Sequence, residues 1–154
     1  NTNAKMYPPL RGQEDIEAII AGIQDGTIDN IATDHAPHTA TEKNVEFQQA
    51  PFGIIGLETM LAVTVTSLVR PGHISLEKAV ELMTVGPARI CGLPAGAVAL
   101  DQPADLCVFD PNEAWTVTRN DIASKSHNSP YLGKTLYGRV RYTFCGGKLV
   151  YRFS

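Results

Sequence analysis

The densest group of side chains able to do chemistry lies in Thr33-Asp34-His35-Ala36-Pro37-His38. A carboxylate at a loop mouth can ligate a divalent metal or move a proton as a general base, and an imidazole can donate to an anionic ligand. The same spacing also allows a plainer arrangement, in which Asp34 caps a turn and both histidines are solvated loop residues. Spacing alone leaves the two readings open. A metal site would need two or three more ligands. The other histidines, His73 and His127, stand in loop-like stretches without metal-ligand spacing to the cluster.

The elements around this cluster must position it. Residues 1–11 hold Pro8-Pro9 and read as a loop. From Gln13, the residues Ile16, Ile19, Ile20 and Ile23 fall at helical spacing, with Glu14 and Asp15 in the first turn and Gly26 as a stop. A β-prone run, Thr27 to Thr33, leads directly into Asp34, and a long polar stretch follows as far as Pro51-Phe52-Gly53. Such a long connection in a compact domain usually carries function. A second helix is predicted over Gly56 to Val69, with Leu57, Met60, Leu61, Val65 and Leu68 as its core stripe. A third begins at the N-cap Ser75, and Gly86-Pro87 opens one further turn that Gly92 should end.

After Leu93 the pattern becomes strand-like. Ala104–Phe109 and Trp115–Thr118 read as two separate strands, and Val140–Phe144, Gly146-Gly147 and Lys148–Arg152 as a hairpin. Strand, functional loop and helix in that order form the repeating unit of a (β/α)8 barrel, which needs roughly 250 residues to close. Residues 1–92 leave room for one or two units only. The expected organisation is therefore α/β. Residues 1–92 are the last strand–helix units of such a barrel with its active-site loops, and residues 93–154 form a small all-β unit.

Composition narrows the function further. The 154 residues carry 13 Lys+Arg against 16 Asp+Glu, a formal charge of −3, with no basic run of the kind that nucleic-acid binding requires. No apolar stretch approaches the ~20 residues of a membrane helix, and no signal peptide opens the chain. Cys91, Cys107 and Cys145 are odd in number and form no CxxC pair, so they read as buried thiols of a cytoplasmic protein. The first residue is Asn1 rather than Met, and the motifs favour a piece of a longer protein.

Ile31-Ala32-Thr33-Asp34-His35-Ala36-Pro37-His38, followed by Ala50-Pro51-Phe52-Gly53 and Gly56-Leu57-Glu58-Thr59, resembles the closing part of class I dihydroorotases, within the amidohydrolase superfamily. Lys5-Met6-Tyr7-Pro8-Pro9-Leu10-Arg11 is similar to a preceding active-site loop. Ala104-Asp105-Leu106, Ser124-Lys125-Ser126, Asn128-Ser129-Pro130 and Gly146-Gly147-Lys148 resemble the C-terminal β segment. The resemblance covers essentially the whole chain, and it implies that residues 1–92 close a (β/α)8 metallo-dependent hydrolase barrel and that residues 93–154 are part of a small C-terminal β-sandwich. It implies that Asp34 is a metal ligand and the proton shuttle at the end of the eighth barrel strand. It implies that His38 contacts substrate, and that Phe52 and Gly53 form a loop whose backbone reaches the pyrimidine. The implied cofactor is zinc and the implied reaction is reversible closure of N-carbamoyl-L-aspartate to dihydroorotate. His35 receives no role, so it keeps the reading of a solvated loop residue.

The resemblance also implies ligands that this chain lacks: an H-x-H pair, a bridging acidic ligand, two further metal histidines and a substrate-binding arginine, all upstream. The expected partners are a small-molecule substrate and the missing N-terminal part of the barrel, with a homo-oligomer or aspartate transcarbamoylase as further candidates. Tyr7 departs from the family, standing where an asparagine usually contacts substrate. Pro8-Pro9 stiffens the backbone after it without fixing its side chain, which favours a ring pointing away from the site. Two other functions stay open. One is another cyclic-amide hydrolase, such as a hydantoinase or allantoinase. The other is a non-catalytic, dihydroorotase-like assembly partner of aspartate transcarbamoylase.

Overall fold

Capping chemistry sets the helix boundaries. In the computed structural model, which describes residues 1–94, 96 and 98–153, helix α1 spans Gln13–Asp25. It starts where the Asp15 carboxylate accepts from the Gly12 N–H at 3.2 Å. It stops at Gly26, whose φ of +85° is a left-handed conformation that suits glycine. The long polar stretch is not wholly irregular. Thr39 and Glu42 form a reciprocal capping box around the short helix α2, Ala40–Lys43.

The described chain forms two compact units. The first comprises Asn1–Ile28, Ala32–Met60 and Thr116–Thr135. It contains α1, α2 and both the Asp34 and the Phe52-Gly53 motifs. Ile23 of α1 is buried and Ile20 half-buried, while Ile16 and Ile19 of the same apolar stripe are exposed.

The second unit comprises Asp29–Ile31, Leu61–Trp115 and Leu136–Ser154. Helix α3, Met60–Thr64, runs into a π-helical turn over Val65–Val69. Helix α4 covers Leu76–Met83, capped by the Ser75 hydroxyl accepting from Lys78 N–H at 3.1 Å, and α5 covers Val85–Ile90. Ala62, Val65, Ala79 and Leu82 are its most buried helical side chains. The Ile31 N–H donates to the Leu82 carbonyl at 2.9 Å. A single sheet orders β1 (Leu106–Thr116), β2 (Thr135–Cys145) and β3 (Lys148–Arg152), with β2 and β3 antiparallel and a register shift at Thr143/Phe144.

Several expectations are corrected here. Thr27–Thr33 is not a strand. The nearest pairing is a lone parallel bridge between His35 and Ile54, and a run without a neighbouring ladder remains extended loop. The second helix begins at Met60 rather than Gly56. Leu57 therefore lies in the preceding turn, where helical periodicity does not apply, and it is exposed. The two strands expected around Pro111 are one, because β1 is an edge of the sheet, where proline is tolerated. One three-stranded sheet is present among the described residues, so the β-sandwich itself is not seen. All three cysteines are exposed rather than buried, two of them on strands β1 and β2 and Cys91 just beyond α5. No described helix is long and apolar enough to cross a membrane.

Gly86 of α5 has no room for a side chain, since an added Cβ would lie 2.4 Å from the Asp29 carbonyl oxygen. Gly86→Ala in the full-length protein is therefore expected to cost about 1–3 kcal/mol, the usual range for overpacking. A urea melt measures this, and an unchanged midpoint would contradict so close a packing of α5 on Asp29.

Candidate active site

Asp34 sits at the end of its extended run with φ +43°, a left-handed conformation that aspartate tolerates better than most residues. Non-glycine residues held there often mark functional positions. Its side chain is exposed and lines a groove of about 230 Å³ together with Tyr7, Thr33, Phe52, Gly53 and Ile54. The Tyr7 ring is on the groove wall, edge-on to Phe52 with centroids 5.8 Å apart.

The Phe52-Gly53 wall of this groove belongs to a loop with many anchoring bonds. Four successive carbonyls, from Pro51 to Ile54, each accept from a different donor. Lys43 Nζ donates to Pro51 at 2.7 Å, and His38 Nε2 to Phe52 at 2.9 Å. Asn128 Nδ2 donates to Gly53 at 3.2 Å, and the Ala36 N–H to Ile54 at 2.8 Å. The loop's own N–H groups are engaged too. Gly53 donates to the Lys5 carbonyl at 3.0 Å and Ile55 to that of Asn128 at 3.2 Å. Gly53 adopts φ +127°, and an added Cβ would lie 2.7 Å from the Ala36 Cβ.

Two lysines are buried beneath this loop. Besides Pro51, Lys43 Nζ donates to the Thr2 carbonyl at 3.2 Å and lies 3.5 Å from that of Lys5. Burial holds its pKa below the ordinary lysine value, and the Lys5 charge adds to the effect. Lys5 donates to the Gln48 carbonyl at 2.9 Å and lies over the Phe52 ring at 4.6 Å. Glu42 faces His38 Nδ1 at 3.7 Å. Its carboxyl is held below the usual range, first by the Thr39 N–H and then by the Thr39 hydroxyl.

The predicted site residues are thus only partly brought together. Asp34, Phe52, Gly53 and Tyr7 share one groove, so the expectation that the Tyr7 ring points away is corrected: its ring packs edge-on against Phe52. His38 instead lines a second, polar groove of about 410 Å³ with Lys43, Arg119, Lys125, His127 and Asn128. Its ring meets the wall of the first groove at the Phe52 carbonyl and close beside Gly53. Both backbone groups of Gly53 are bonded within the chain, which commits its N–H fully and leaves its carbonyl one further lone pair. His35 is not a solvated loop residue. Its Nδ1 accepts from the Gly56 and Leu57 N–H groups at 3.2 and 3.4 Å, closing the turn before α3.

Glu58 does similar work, accepting from the Ala123 and Ser124 N–H groups at 3.0 Å each. Asn128 is the residue whose importance the sequence did not reveal, because it lies 75 to 92 positions from the groups it bonds. A polar side chain inside the Asn-Ser-Pro motif was the available signal. No group of three or more His, Cys, Asp or Glu able to hold a metal occurs among the described residues. Asp34, exposed in its groove, fits the part of a single ligand.

Comparison with known proteins places this geometry. The amidohydrolase family model matches residues 7–150. Dihydroorotases of Clostridioides difficile (strain 630) and Lactococcus lactis subsp. lactis are 51% and 50% identical over 150 and 151 residues. Those alignments cover 97% and 98% of this chain but only 35% and 36% of the relatives, so the chain spans about a third of their length. Among solved structures, D-hydantoinase from Bacillus sp. AR9 superposes with a TM-score of 0.82 at 25% identity, covering 98% of this chain and 34% of that one. L-hydantoinase from Arthrobacter aurescens gives 0.84 at 30% identity, covering 96% and 34%.

The close approach at Gly53 supplies its own test. Gly53→Ala must relieve both an unfavourable φ and the clash with Ala36, at about 1–3 kcal/mol for the strained backbone alone. The full-length variant is expected to melt earlier and to lose the His38–Phe52 hydrogen bond in a crystal structure. An unperturbed loop would contradict the close contact with Ala36.

Proposed function

This chain belongs to the amidohydrolase family, and we propose that it is the C-terminal part of a cytoplasmic dihydroorotase that interconverts dihydroorotate and N-carbamoyl-L-aspartate. The observation that carries the proposal is that Asp34, Phe52 and Gly53 line one groove, in a chain about half identical to dihydroorotases along nearly its whole length. Hydantoinases share the fold at 25–30% identity. The higher identity to dihydroorotases therefore favours dihydroorotate over a hydantoin as substrate.

In the hydrolytic direction, water adds to the ring amide carbonyl, the carbon–nitrogen bond breaks and the ring nitrogen takes a proton. Asp34 carries that proton from the attacking water to the leaving nitrogen. Phe52 and the tightly bonded Gly53 shape the wall that orients the ring, and His38 holds that wall from behind through the Phe52 carbonyl. Tyr7 occupies the rim where the family has an asparagine, offering one hydroxyl in place of an amide's donor and acceptor. Asp34 would be one ligand of the zinc, the other donors coming from parts of the protein outside this chain. When bound, zinc lowers the pKa of water and polarises the reacting carbonyl.

The test is turnover by the full-length protein. It should hydrolyse dihydroorotate in preference to a 5-substituted hydantoin, and Asp34→Asn should cut turnover about 10²–10⁴-fold without unfolding the protein. Chelation should abolish activity and added zinc restore it. Residues 1–154 alone, with one carboxylate in place of the three or four ligands zinc takes, should bind the metal weakly and be inactive. Preferred hydrolysis of the hydantoin, or normal turnover by the Asp34 variant, would overturn the proposal.

A further inference from the structure

The side chain of Asn128 is 3% exposed and uses its amide in both directions. Its Oδ1 accepts from the His38 N–H at 3.1 Å, while Nδ2 donates to the Ala36 carbonyl at 2.9 Å and to the Gly53 carbonyl at 3.2 Å. Its own carbonyl accepts from the Ile55 N–H. One residue thereby bonds both the turn that follows Asp34 and the loop that faces it. No other natural side chain of this size offers an acceptor and two donors on one planar group.

We infer that Asn128 is a positioning residue for the proposed hydrolysis: it sets the separation between the Asp34 turn and the Phe52-Gly53 wall, and so the fit of the substrate ring. It touches no substrate itself, and the inference rests on the reading of this groove as the dihydroorotate site. A carboxylate at this position would accept from His38 but would set negative charge against two carbonyl oxygens. Protonation would restore one donor, and burial beside carbonyl oxygens raises the pKa at which that happens.

The experiment compares the full-length protein with Asn128→Ala and Asn128→Asp, alongside Leu82→Ala as a control of comparable instability in the other compact unit. Asn128→Ala is expected to raise the KM for dihydroorotate about tenfold, the scale of an unmet buried hydrogen bond, with a smaller change in kcat. In Asn128→Asp the KM should fall toward the wild-type value as the pH is lowered from about 8 to about 6, a trend absent from the wild type. Leu82→Ala should leave KM unchanged. A crystal structure of Asn128→Ala should show Phe52-Gly53 displaced from the Asp34 turn. An unmoved loop overturns the inference whether or not dihydroorotate is the substrate. So does an unchanged KM, or a KM effect that Leu82→Ala reproduces. Failure of the wild type to use dihydroorotate, with the loop displaced in the variant, would instead overturn the functional reading and leave the positioning role standing.

Discussion

The peptide carbonyls of Pro51, Phe52, Gly53 and Ile54 run consecutively through a segment that belongs to no helix and no ladder beyond one bridge. Backbone carbonyls outside regular structure are partnered by water or by donors elsewhere in the chain, and at these half-buried and exposed positions the chain supplies the donors. Here the donors are an ammonium, an imidazole, a carboxamide and a backbone N–H, drawn from Lys43, His38, Asn128 and Ala36. Three of them lie within eight residues of one another, Ala36 to Lys43, and the fourth, Asn128, is remote in the sequence. The loop is anchored at four carbonyls and at the Gly53 and Ile55 N–H groups, and those bonds shape the groove beside Asp34.

The same bonds account for features that look odd singly. Lys43 is buried with carbonyls rather than a carboxylate around its charge, so its ammonium serves as a three-way donor at the base of the loop. Lys5 places its charge on the Phe52 face and its carbonyl on the Gly53 N–H, fixing side chain and backbone of adjacent residues at once. Gly53 must be glycine because a side chain would meet Ala36. Removing any one donor leaves a carbonyl unmet and loosens its neighbours, so the contributions are coupled rather than additive.

What the sequence disclosed follows the range of each interaction. Helix α1 and its Gly26 stop, the Ser75 cap and the Gly146-Gly147 hairpin depend on residues within a few positions of one another, and all were legible. The Thr39/Glu42 capping box was equally local and could have been read. Thr27–Thr33 misled because β propensity reports how well a side chain fits a sheet, not whether a neighbouring strand is present. Leu57 misled because periodicity does not mark where a helix begins. Motifs placed Asp34 and Phe52-Gly53 in one neighbourhood. The bonds that turn His38 toward Phe52, His35 toward Gly56 and Asn128 toward Gly53 join residues 14 to 75 positions apart, and no local pattern encodes them.

Asp34 is thus a carboxylate held at a left-handed backbone position in a groove that it shares with a loop anchored by many hydrogen bonds. That arrangement suits a reaction in which one proton must travel a short, fixed path between water and a ring nitrogen, since accurate placement of reacting groups supplies much of catalysis. The most direct test is a crystal structure of the full-length protein with dihydroorotate bound. The ring should lie in the groove lined by Asp34 and Phe52, with the Asp34 carboxylate within hydrogen-bonding reach of the ring nitrogen and the four loop carbonyls still paired with their donors. A ring bound elsewhere, or bound only after those pairs have broken, would contradict it.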